Sequence, residues 1–291
     1  MLDSLKFRSI IGLVALLFAV VGGIGIFQLV GPWSEYVDAR RARLVLVNAF
    51  NLVNPGYTVD YFGIKDGDLE IHPRGGTVTI PVSARSSYLR TLNHQWHRFS
   101  VRMELYSDMK IEVPSLEATT TGMAIEAVSD DTPDATSSTS DYARKLLAIT
   151  EEPFAVTAVV KLRAPQPEEN VAHAWGIWDS RIGAVMLARP NDRAKPITWH
   201  GGTCDAMGFH CGPAEDLRTQ QFQQWTNSLS EDDADALAAF GFNLQELRDS
   251  SVNPLISGFV ITAAPKDIRG LEDDQRVQWI RITDVALDYS S

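Results

Sequence analysis

Residues 10–30, IIGLVALLFAVVGGIGIFQLV, are apolar apart from Gln28. At about 1.5 Å of rise per residue, such a run spans roughly 30 Å as a helix, the thickness of a bilayer core. It predicts a transmembrane helix. A cleaved signal peptide would have a shorter apolar core followed by small residues at a cut site. Here the run continues through Phe27, Leu29 and Val30 into Gly31, Pro32 and Trp33, with no A-x-A-like site. Trp33 and Tyr36 stand where aromatic side chains favour the headgroup layer. Lys6 and Arg8 precede the run and Arg40, Arg41 and Arg43 follow it, so charge alone leaves the orientation tied. Ala15, Ala19 and Gly23 recur at every fourth position. They form one small-residue face through which such helices pair, with a second copy or with a partner.

Some 260 residues follow the run, 45% of the whole chain is apolar and seven residues are Trp, enough for a substantial core in one large domain or two small ones. The net charge of -11 excludes a nucleic-acid partner, whose phosphates require a basic surface.

The sequence then changes period. Glu35 to Asn51 has a helical pattern, leaving the membrane or packing on the base of the domain. In RFSVRMELYSDMKIEV, residues 98–113, apolar and polar residues alternate, which predicts a strand bent near Ser107 with one buried face. Shorter strands at TVDYF, DLEIH and GTVTIPVS make this region β-rich. VSDDTPDATSSTSD reads as a solvated linker. Beyond it, PFAVTAVVKL and RIGAVMLA are strands. Phe222, Trp225 and Leu229 mark one helix face, and Leu237, Phe240, Leu244 and Leu247 the next. The last 36 or so residues read as strand, short helix, strand, with Pro265 in the first helical turn. If they share a sheet, the two strands lie parallel. The expected fold is α+β. It has a short tail (1–9), a transmembrane helix (10–30), a membrane-proximal β-rich domain (31–127), an acidic Ser/Thr-rich linker (128–141) and a mixed α/β domain (142–291).

Candidate chemistry is sparse. Cys204 and Cys211 close a short loop with His200 and His210 nearby; a disulfide, free thiols and a metal site all stay open, with an extracytoplasmic location favouring the disulfide. His173, Asp179 and His200 form a polar cluster of the kind a catalytic base needs, without the nucleophile turn that accompanies one. Ser107 and Lys110 match S-x-x-K but interrupt a strand, which sends them to opposite faces. No signature of a bound cofactor, a metalloprotease helix or a phosphate loop is present.

Three segments carry a resemblance: VNAFNLVNPGYTVDYFGIKDGDLEIHPRGGTVTIPVSARS, PFAVTAVVKLRAPQPEENVAHAWGIWD, and above all ISGFVITAAPKDIRGLEDDQRVQWIRITDVAL. In order and texture the chain resembles the sigma factor regulator family of Gram-positive bacteria, the anti-sigma-M type. The resemblance implies that the short end lies in the cytoplasm and the large domains outside. It also implies a regulatory or sensing role with a protein partner in or at the membrane. Members carry a cytosolic sigma-binding segment ahead of the anchor; only Met1 to Ser9 stand there, too few for an interface of about 800 Å² per partner. The rival expectations are an envelope enzyme acting on wall or lipid-linked substrates and a structural subunit of an envelope complex.

Overall fold

A computed structural model describes residues 31–84, 98–128, 145–148, 150, 154–175, 182–189, 196–201 and 217–287. Its first long element is helical. Segments Ala39–Ala42 (α), Arg43–Val47 (π) and Asn48–Val53 (α) follow one another without a break and together form α1. Leu44, Val45, Leu46 and Val47 are all buried, as a helix apolar on every side must be.

The first sheet contains β1 (Tyr57–Val59), β2 (Leu69–His72), β3 (Gly75–Ala84), β4 (Arg98–Leu105) and β5 (Ile111–Glu112). β1 and β2 pair antiparallel with successive stretches of β3, while β4 pairs with β3 antiparallel and β5 with β4. The register sets Val78 opposite Met103 and Ile80 opposite Val101, so the period-two alternation puts these four into the core. The expected bend near Ser107 is a hairpin. Met109 donates its amide to Tyr106 O, Met109 adopts φ 65°, and the chain reverses into β5.

After α2 (Thr120–Glu126) comes the second sheet, formed by β6 (Phe154–Gln166), β7 (Ile182–Leu187), β8 (Ile197–Trp199), β9 (Ile256–Ala263) and β10 (Val277–Leu287). Helices α3 (Glu168–Trp175), α4 (Arg218–Ser228), α5 (Ala234–Ala239), α6 (Leu244–Val252) and α7 (Pro265–Glu272) lie between them in the chain. The strand order is β10-β6-β9-β7-β8, with every pairing antiparallel. β9 and β10 therefore do run parallel to each other across α7, but β6 lies between them. Residues 155–162 of β6 are buried throughout. Val156, Ala158 and Val160 face the main core, and Val159 faces a second cluster under Ala124 and Ile125 of α2. The apolar series at Leu237, Phe240, Leu244 and Leu247 is two helices. Gly241 at φ +82° ends the first, and Asn243 caps the second by accepting the Glu246 amide.

The expected architecture needs correcting. The described residues form a mixed α/β body with two antiparallel sheets, and among them no helix is long and apolar enough to cross a membrane. Residues 10–30, and with them Ala15, Ala19 and Gly23, lie outside the described residues, as does most of the linker. Trp33 and Tyr36 are 0% and 1% exposed, so protein surrounds them and they do not form an aromatic belt. Trp33 donates its indole N–H to Tyr106 O at 2.6 Å, and Tyr36 its hydroxyl to Asp233 Oδ1 at 3.0 Å.

α1 lies in a core cluster that runs continuously through both sheets. Directional bonds fix it there. Arg41 pairs with Asp233 through Nη2 and Nε and donates to Ser230 Oγ and Ser228 O. Ser230 N donates to Asp233 Oδ2 at 2.7 Å, so the fully buried Asp233 carboxylate has partners on both oxygens. Burial, and then the Asp233 charge, push the Tyr36 hydroxyl well above the usual phenol range. In the π segment, Leu44 O accepts the Trp225 indole N–H at 2.7 Å; a wide turn is where a helix ladder admits an outside donor.

Replacing Asp233 with Ala leaves Tyr36 without its acceptor and Arg41 without its counter-charge. A broken buried ion pair costs about 3–5 kcal/mol; with Arg41 24% exposed, about 2–4 kcal/mol is expected here. Tyr36→Phe removes one bond and should cost about 1 kcal/mol. Urea unfolding of both variants measures these losses.

Candidate functional site

Of the residues singled out in the sequence, Cys204, Cys211 and Asp179 lie outside the described residues. His173 falls within α3, but its side chain is not described. His200 is described, half-buried at the end of β8, with Nε2 3.1 Å from Asn51 O. A carbonyl only accepts, so Nε2 carries a hydrogen and donates. While that bond stands, Nε2 is not free to act as a base.

His200 belongs to a polar seam along α1. Tyr61 donates its hydroxyl to Asn48 Oδ1 at 2.8 Å, and Asn51 Nδ2 donates to Tyr61 Oη at 3.2 Å. Asn48 and Asn51 are buried. Burial raises the Tyr61 hydroxyl above its ordinary range, against the bond from Asn51. Beside the seam, Trp199 stacks on Trp225 with ring centroids 5.1 Å apart, and Phe222 meets Trp199 edge-on at 5.5 Å. Among the described residues, the buried Trp199 indole N–H has no hydrogen-bond partner.

At the start of α4, Leu217 offers no side-chain cap. Glu168, at the first position of α3, supplies one. Its carboxylate accepts the amides of Arg218 (3.2 Å) and Thr219 (2.8 Å) and the Thr219 hydroxyl (2.8 Å). A carboxylate over a helix N-terminus meets both orphan N–H groups and the positive end of the dipole. Burial pushes the Glu168 carboxyl above its ordinary range, and the bonds from Thr219 and Arg218 pull it back. These contacts join elements of the fold, and no substrate atom is needed to explain them.

A groove of about 180 Å³ opens where the end of α1 meets α2, lined by residues of 53–57 and 116–126. Its floor is two backbones in contact. A Cβ on Gly56 would lie 2.1 Å from Thr119 Oγ1 and 3.1 Å from Gly122 Cα. Thr119 holds them together: its hydroxyl accepts the Gly122 amide at 2.9 Å and sits 3.3 Å from Gly56 O, to which it donates. Tyr57 forms one wall, its hydroxyl donating to Glu117 O at 2.8 Å. The rim is exposed and partly apolar, with Val53 37% and Met123 50% accessible. Glu117 and Glu126 are exposed beside it.

No protein-family model, curated protein or solved structure matches this chain. Among the described residues, no three His, Cys, Asp or Glu side chains are grouped to hold a metal ion. Sequence reasoning did not find the groove or the Glu168 cap. The one local signal was Thr119, an N-cap residue ahead of the helix that begins at Thr120, within a stretch otherwise read as β-rich.

Two measurements probe these contacts. Glu168 holds its proton more tightly folded than unfolded. Its contribution to stability is therefore greatest below the ordinary value of 4.5 and is lost as pH rises through the raised folded pKa. Denaturation from that pH to neutrality should show the wild type losing stability relative to Glu168→Gln as pH rises, while Glu168→Ala loses the cap, about 0.5–2 kcal/mol. Gly56→Ala forces α2 away from the floor of the groove and should destabilise by about 1–3 kcal/mol, read by thermal melting.

Proposed function

We propose that this chain is a regulatory protein that works by holding a protein partner, and that the groove between 53–57 and 116–126 is where the partner sits. The observation that carries this reading is the groove itself: a preformed recess whose floor is fixed by backbone contact and whose rim exposes Val53 and Met123. Small-molecule sites run to roughly 300–1,000 Å³, so about 180 Å³ suits one inserted side chain better than a whole ligand. A thioether at the rim adapts to varied apolar surfaces, which suits contact with another protein. The resemblance to sigma factor regulators supports a regulatory setting. A membrane location, with the described body outside the cytoplasm, rests on the sequence of 10–30 and on that resemblance.

The catalytic alternative needs His173, Asp179 and His200 to work together. The only one of the three whose side chain is described donates its Nε2–H to a backbone carbonyl, which gives that reading no support.

The test uses the full chain purified with its partner from source membranes. The partner is identified by mass spectrometry after cross-linking from position 123, then purified and recombined. Met123→Glu should weaken recombined binding roughly fivefold or more, as loss of a buried interface contact does. Val252→Glu, at a residue exposed elsewhere, should leave it unchanged. Binding indifferent to Met123→Glu would overturn the reading.

A further inference from the structure

The apolar run of 10–30 meets the described body at Gly31, and two hairpin turns stand around that point. Gly31 approaches the turn between β2 and β3 so closely that a Cβ on it would lie 1.9 Å from Pro73 O. Trp33 donates its amide to the same carbonyl at 3.3 Å and its indole N–H to Tyr106 O, in the hairpin between β4 and β5. The two turns also touch each other. A Cβ on Gly75 would lie 2.3 Å from Leu105 O and 3.6 Å from Tyr106 Cα. Pro73 and Tyr106 are thereby held beside the residue at which the run ends.

A bilayer has a hydrocarbon core of about 30 Å within a full thickness of about 40–45 Å, which leaves a headgroup layer of roughly 5–8 Å on each side. With 10–30 held in lipid, as the membrane location proposed above requires, backbone in contact with Gly31 falls within that depth. The exposed side chains of the two turns suit such a place. Tyr106 is 42% exposed, with Lys110 Nζ 5.8 Å from its ring centroid and its hydroxyl donating to Glu112 Oε2 at 2.8 Å. Arg74, Ser107 and Lys110 are exposed as well. A ring with a polar tip and cations on long apolar stems are the side chains that favour the boundary between lipid and water. Glu35, Asp108 and Glu112 are exposed alongside these cations, which offsets attraction to anionic lipid.

Building on that membrane location, we infer that the turns at 73–74 and 106–110 rest on the headgroup layer of a zwitterionic phospholipid surface. Arg74 and Lys110 meet lipid phosphates and the Tyr106 ring lies between headgroups. Trp33 and Tyr36 are buried in protein, and Tyr106, whose carbonyl accepts from Trp33, takes the interfacial place.

The test reconstitutes the full chain in phosphatidylcholine vesicles with one fluorescent amino acid at position 20, 74, 107 or 252. The vesicles contain a lipid carrying a nitroxide quencher on its headgroup or in mid-chain. The headgroup nitroxide should quench the labels at 74 and 107 and spare the one at 252, an exposed position of α6. The mid-chain nitroxide should quench the label at 20. Arg74→Gln with Lys110→Gln should reduce quenching at 107, with melting like that of the wild type showing that the body is folded. Quenching at 20 with none at 74 or 107 would overturn the inference and leave the membrane location standing. So would equal quenching at 107 and 252, a double variant quenched like the wild type, or quenching that requires phosphatidylglycerol. An unquenched label at 20 would remove the membrane location and the inference together.

Discussion

A helical stretch reading Leu-Val-Leu-Val at 44–47 leaves no side for water, and the rest of the fold is arranged to cover it. One sheet cannot do so, because a sheet face contacts only one stripe of a helix. Here residues 33–53 are enclosed by the first sheet and its hairpin on one side, where Trp33 donates to Tyr106 O. On the other side are α4, α5 and β8, where Trp225 reaches Leu44 O and Arg41 reaches Asp233. The core cluster is continuous through both sheets as a result. The stability of each half therefore includes burial that depends on α1, and α1 cannot withdraw from one half without exposing a face in the other.

Apolar burial is non-directional and would let such a helix slide or rotate by a residue. The polar contacts along α1 remove that freedom. Asp233 accepts from Tyr36, Arg41 and Ser230, three donors from two distant parts of the chain. The Asn48–Tyr61–Asn51 chain and the His200 bond to Asn51 O do the same one turn from the C-terminal end. Each buried group keeps a partner only at one helix register, and losing a partner inside the protein costs far more than a surface bond is worth. The π segment fits this picture. A helix held at both ends by fixed partners takes up its mismatch in the middle, at the turn where Leu44 O receives an outside donor.

What the sequence made legible was the local periodicity. The alternation in 98–105 led to a buried face on β4, and the final strand, helix and strand are present as read. Non-local partners were not legible. Trp33 and Tyr36 directly follow an apolar run, and an aromatic side chain looks the same whether lipid or a protein core will receive it. The deciding atoms are Tyr106 O and Asp233, 73 and 197 residues away. The relation of β9 to β10 was half legible. Their shared direction followed from the crossover, while the intervening β6 came from earlier in the chain. His200 drew attention as a polar residue, but its partner Asn51 lies 149 residues away, in a stretch read only as a helix. The groove had the weakest signal, since it depends on Gly56 and Gly122 meeting across the fold, and an isolated glycine announces a turn as readily as a contact.

The groove inherits its rigidity from the same helix. Val53, on its rim, ends an element held by bonds with Tyr61, Trp225 and His200 and by a core that runs through both sheets, and the opposite wall is fixed by Thr119 and by the contact of Gly56 with Gly122. Only the rim side chains, Met123 foremost, have room to adapt. A partner entering such a recess meets walls ordered during folding, so little further backbone ordering opposes association, and weak contacts made there are retained in the binding free energy. A rigid recess of this kind discriminates by what it cannot accommodate. A bulky ring would require Gly56 and Gly122 to part. Selectivity against wrong occupants thus follows from the contact that closes the floor.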